Sequence, residues 1–270
     1  MIRLIKNDLK ICINSKRYQY IVLSLYTFFI LAFLRYSIGN FDKSSLEVMP
    51  TYNMGMVLSI NRNNIRSVYI IIIFLLPLLS CLFYSDSIRN EKSSGIYNYY
   101  VTRCTVKKHF LSKIITTFLL NTLTIFFSVA SIELLIWLSI PNIGYQYMNT
   151  TPIYEYITQK PHIFCYKLFN FNPYLYDLFI VLILSIYSGL IGVISMSISL
   201  LFTKLKNNYL YIVTFLSFYL IEIIVPIRYS INAYLQMYPN DVKYFITTLL
   251  GFIAITFICI ISSIWKEGRR

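Results

Sequence analysis

Two acids stand inside long apolar runs of this chain, Glu133 and Glu222. A carboxylate at membrane depth is costly unless it is hydrated, paired or protonated. Glu133 precedes Pro141 by about two helical turns and Glu222 precedes Pro226 by about one. Two readings stay open for each. One is a carboxylate that snorkels to an interface or caps a helix break. The other is a polar spot in a translocation path, for which Glu222 is the better candidate because Pro226 must end or bend its helix.

Little else in the chain points to catalysis. No GxxxxGK[ST] run is present to cradle nucleotide phosphates, and no HExxH or GxSxG occurs. The two histidines, His109 and His162, fall between the apolar runs. The five cysteines, at positions 12, 81, 104, 165 and 259, form no CxxC and no Cys/His pair with metal-ligand spacing. Packing is the reading for all five. The chain is therefore expected to be no enzyme, with no metal and no cofactor of its own.

The elements that must position these residues follow from composition. Of 270 residues 57% are hydrophobic and 13% charged, with a mean hydropathy of +0.62. A soluble domain of this size carries roughly a quarter charged residues, so lipid must cover much of the outside. Six runs are long enough to cross about 30 Å of hydrocarbon as helices. They are 18–34, 67–84, 114–140, 178–202, 209–227 and 244–265. The expected fold is an all-α integral membrane protein, one polytopic domain over residues 1–270. Pro77 should bend the second span. In the fourth, Ser185, Gly189, Val193 and Ser197, with Ser188 and Gly192 beside them, form a small-residue face for close helix packing.

The net charge of +13 marks orientation rather than nucleic acid. With the N-terminus inside, the segments 1–17, 85–113, 203–208 and 266–270 are cytoplasmic and hold most of the 24 basic residues. That is the positive-inside pattern of a cell membrane protein. Residues 35–66 and 141–177 become the long external loops. The second is dense in Tyr and Phe, among them Tyr145, Phe164, Phe171, Tyr174 and Tyr176, as expected of a cap at the headgroup boundary. In the N-terminal segment Ile2, Leu4, Ile5, Leu9, Ile11 and Ile13 interleave with Arg3, Lys6, Lys10 and Lys16. This predicts an interfacial amphipathic helix facing membrane lipids.

The link 85–113, SDSIRNEKSSGIYNYYVTRCTVKKHFLSK, is longer than two adjacent spans need and mixes apolar with basic residues. Such a stretch predicts docking to a cytoplasmic partner. Here the chain resembles the permease subunits of exporter-type (type-two) ABC transporters. The resemblance rests on Glu91, Gly95, Ile96, the Tyr99–Tyr100 pair, Arg103 and Lys113, and on the six-span layout. The chain departs from the family at Gly95–Ile96, where Gly-Thr is usual, and at Tyr99–Tyr100, where Leu-Leu is usual.

The resemblance implies an N-terminal interfacial helix and a coupling helix between spans two and three. It also implies a fifth span broken into short helices near the outer face, where Glu222, Pro226 and the stretch to Pro239 fall. It implies cytoplasmic ABC ATPase subunits that bind ATP-Mg and push on Glu91, Gly95, Ile96, Tyr99, Tyr100 and Arg103. A second permease copy, or a related chain, completes the pathway. Cargo would be amphipathic or hydrophobic, such as a peptide, a drug or a lipid-like molecule. Two other classes compete. A membrane-embedded lipid-modifying enzyme would need polar residues clustered at one depth, and an ion-coupled carrier would show internal repeats.

Overall fold

The computed structural model of the chain describes residues 1–41, 63–139, 165–202, 207–235 and 241–268. Most of these residues are helical, and no strand occurs among them. A short helix α1 (Ile2–Ile13) leads into the long α2 (Lys16–Phe41), and α3 (Asn63–Tyr84) follows. Two short helices, α4 (Ser87–Ser93) and α5 (Ile96–Arg103), join α3 to the long α6 (Val106–Ser139). Then come α7 (Tyr166–Phe171), α8 (Pro173–Leu201) and α9 (Asn207–Ile224). A 3-10 turn at Ile227–Tyr229, α10 (Ile231–Leu235) and α11 (Val242–Gly268) complete the order.

Five helices are long and apolar enough to cross a membrane, namely α2, α3, α6, α8 and α11. The sixth expected span, α9, has 18 residues and is apolar only over Tyr209–Ile224. At 1.5 Å per residue it is about 27 Å long, less than the hydrocarbon thickness. It stops there because Pro226 cannot continue the helical ladder. Large apolar side chains such as Leu31, Leu216, Leu220, Phe257 and Ile258 point outward, the surface expected of helices solvated by lipid.

The central helix is α8, with 67% of its most apolar window buried against 17% for α2 and for α11. Asn172 starts it by accepting from the N–H groups of Tyr174 (2.9 Å) and Leu175 (3.3 Å), with Pro173 in the first turn. The helix thus begins five residues before the expected 178, and Tyr174 and Tyr176 belong to it rather than to a loop. Trp137 of α6 packs edge-on against Tyr174, and Tyr176 is fully buried.

The small-residue face of α8 is a seam within the chain. A Cβ at Gly189 would overlap Thr122 Oγ1 and the Phe118 ring of α6, and one at Gly192 would overlap the Asn121 amide. On its other side the Ser188 and Ser80 hydroxyls are 2.9 Å apart, joining α8 to α3. Helix α3 runs on through Pro77. That proline provides no N–H for the Ile73 carbonyl. Next to it, the Phe74 carbonyl accepts the Tyr219 hydroxyl of α9 at 2.7 Å.

Other expected boundaries move as well. Helix α6 begins at Val106 rather than 114, so residues 106–113 are helix and not link. Helix α2 continues to Phe41, seven residues into the expected loop. Tyr145, Phe164, Pro141, Pro239 and His162 lie outside the described residues.

Candidate functional site

The polar residues of the 85–113 stretch converge at the end of the bundle where α3 stops. Gly95 separates α4 from α5 with φ +75, in the left-handed region that favours glycine. Nothing lies within 4 Å of where its Cβ would be, so backbone conformation alone requires glycine here. That turn folds α5 back along the first turns of α6. Its anchors are aromatic: Tyr100 stacks on the His109 ring at 5.2 Å and 15°, and Tyr97 meets the same ring edge-on at 5.9 Å.

His109 is therefore on α6, not in a connecting segment, and its side chain is buried. Its Nε2 donates to Glu91 Oε2 at 2.9 Å. Glu91 Oε1 is 2.5 Å from Lys113 Nζ. Lys113 is fully enclosed, with 0% side-chain exposure, and also reaches Asp8 Oδ1 at 2.7 Å and the Tyr84 hydroxyl at 2.9 Å. The second oxygen of Asp8 accepts from Ser112 Oγ at 3.0 Å. One ammonium with three donors thus meets three acceptors, the arrangement a buried lysine needs. It ties together α1, α3, α4 and α6. Because Tyr97 and Tyr100 rest on His109, α5 is tied to the same point.

A second, more open group lies beside it. Arg17 Nη1 is 2.7 Å from Asp86 Oδ2 and Nη2 donates to the Tyr211 hydroxyl at 2.5 Å, while that hydroxyl donates to Asp86 at 3.0 Å. This joins the start of α2, the α3–α4 corner and α9. Cys12 points between the two groups, its Sγ 3.8 Å from the Phe83 carbonyl. Burial pushes its thiol up to about 12.

On the outside of this end, α5 presents an open ridge and has no buried residue. Ile96 is 49% and Tyr99 53% exposed, and the Arg103 guanidinium lies 4.1 Å from the centre of the Tyr99 ring. An aliphatic side chain, a tyrosine and an arginine exposed together on one short helix have the composition common at protein interfaces. Of the six residues expected to couple, Ile96, Tyr99 and Arg103 lie on this ridge. Glu91 and Tyr100 turn inward as anchors, and Gly95 forms the corner.

The two acids of the apolar runs separate. Glu222 Oε2 accepts from Ser230 Oγ at 2.5 Å and its carboxylate also accepts from the backbone N–H groups of Ile231 and Asn232. It caps the start of α10 across the Pro226 break. Glu133, on α6 one turn before Trp137, is fully buried, and neither of its oxygens has a hydrogen-bond partner. The structure does not bring the two together at one site.

Among the described residues no group of three or more His, Cys, Asp or Glu could hold a metal ion, and all five cysteines are free. A groove of about 220 Å³ between α6, α8 and α11 is lined by apolar side chains including Ile114, Phe118, Val193 and Phe257. Sequence reasoning missed Asp8, Asp86 and Tyr211. The available signal for Asp8 was that it is the single acid in a basic amphipathic segment, and it predicts a buried partner. No protein-family model matches the chain, and no curated protein is similar to it in sequence.

Proposed function

We propose that this chain is the membrane-spanning permease subunit of an ABC exporter, moving an amphipathic or hydrophobic cargo outward. A separate ATPase subunit, carrying ATP-Mg, docks on the α5 ridge, and this chain hydrolyses nothing. In this reading α9 is the sixth crossing, shortened by the Pro226 break, and both termini are cytoplasmic in the cell membrane. A second permease chain, identical or related, completes the pathway.

The observation that carries the reading is α5 itself. Between the second and third long helices, an eight-residue helix stands with its Ile96–Tyr99–Arg103 ridge open. Its other side is anchored on a buried charge cluster that reaches α1, α3 and α6. A push on such a helix is delivered to three helices of the bundle instead of being lost in a flexible loop. ATP binding then biases the bundle only through its differential affinity for two arrangements.

The test is co-purification of the chain with a P-loop ATPase and cargo-stimulated hydrolysis by the complex. Replacing Tyr99, Tyr100 and Arg103 together by Ala should abolish the stimulation while membrane insertion is kept. Stimulation that survives the triple replacement would remove α5 from the coupling path.

A further inference from the structure

Helix α1 has two unlike sides. Asp8 and Cys12, one turn apart, are buried against the bundle, and Asp8 is engaged by Lys113 and Ser112. Arg3, Lys6 and Lys10 are exposed, together with Ile2, Ile11 and Ile13. The single acid of the helix is thus consumed inside, so its outer side is cationic with apolar residues interleaved. A basic and apolar face of this kind fits an anionic phospholipid surface, with apolar side chains between headgroups and cations on the phosphates.

The inner side of the same helix is wired to α5. Lys113 divides its charge between Asp8 of α1 and Glu91 of α4, and Glu91 in turn holds the histidine on which Tyr100 is stacked. Moving Asp8 away leaves Lys113 with Glu91 as its one carboxylate, beside the Tyr84 hydroxyl, and alters the grip of Glu91 on His109. The position of α1 and the setting of α5 are therefore linked through one buried ammonium.

We propose that α1 is a sensor of anionic phospholipid, and that lipid charge sets the order of the α5 ridge through Asp8, Lys113, Glu91 and His109. Anionic headgroups hold α1 docked with its cations outward, which keeps Asp8 on Lys113 and α5 fixed. In a neutral bilayer α1 is held less firmly and α5 loosens. Its consequence for a docked ATPase rests on the permease reading, whereas the link between lipid and α5 does not.

The full chain carries a natural reporter position, Cys104, immediately after Arg103. A spin label on Cys104 in a C165S/C259S background reads the mobility of α5, because Cys12 and Cys81 are buried. In nanodiscs, adding phosphatidylglycerol to phosphatidylcholine should shift the immobile-to-mobile label ratio by about fivefold. The surface variant R3Q/K6Q/K10Q, which leaves the bundle contacts alone, should abolish the shift, and so should D8N.

A label indifferent to lipid charge would overturn the proposal, as would a full response in either variant. Soluble glycerol phosphate reproducing the shift in neutral nanodiscs would also overturn it, since the ligand would then not be a membrane surface. Failure of an ATPase to co-purify would sink the permease reading and leave these outcomes unchanged.

Discussion

Lys113 and Arg17 lie at the same end of the bundle and both pair with aspartate, yet their surroundings differ. Lys113 has no exposed surface and shares two carboxylates and a phenol; Arg17 is 41% exposed over a nearly buried Asp86. An enclosed ion pair gains little overall, but loss of one partner strands the others without water. A cation that can be hydrated loses far less when its partner goes. The first cluster therefore fixes the geometry of four elements. The second can open without large cost, and it holds α9, the helix with the weakest claim to a full crossing.

The contrast breaks first at Lys113. Lys113→Met should cost about 3–5 kcal/mol because Asp8 and Glu91 are left buried and unpaired. Thermal unfolding in a fixed detergent would show it, and adding Asp8→Asn and Glu91→Gln should recover most of the loss. A loss no greater than that of Asp86→Asn would erase the distinction. Next, Gly189→Leu should cost about 1–3 kcal/mol through overlap with Thr122 and Phe118. Since that seam lies within the chain, the loss should be the same at high and low protein concentration.

Gly95→Ala should cost about 1–2 kcal/mol because φ +75 disfavours any Cβ. It should appear as faster proteolysis between α4 and α5, with the bundle core unchanged. The smallest effect belongs to Asp86→Asn, which leaves the exposed Arg17 to water: below about 1 kcal/mol and shrinking further as salt is raised. A large, salt-independent loss there would mean that the second cluster is as enclosed as the first.

Much of the fold was legible because hydrocarbon thickness and backbone hydrogen bonding leave few choices for an apolar run. Hydropathy was least informative where a helix leaves the apolar zone. Val106–Lys113 is as helical as the rest of α6, but its Lys107, Lys108 and His109 read as a link. Glu133 and Glu222 admitted the same two readings in sequence, with Pro226 the one feature that set Glu222 apart. The difference arises from what folds back on them. Pro226 brings Ser230 and the start of α10 onto Glu222, whereas neither Glu133 oxygen gains a hydrogen-bond partner. Glycines 189 and 192 announced close packing, but only the approach of α6 identified the partner as this chain's own helix.

The amino-acid sequence alone determined that apolar helices of bilayer length dominate this protein and that cations gather at the segments between them. Those properties depend on local composition. The tertiary structure decided that Asp8, Glu91, His109 and Lys113 share one buried site. It also decided that α5 stands on that site with Ile96, Tyr99 and Arg103 outward. An ammonium finds its carboxylates by distance in space, and Asp8 is 105 residues away along the chain.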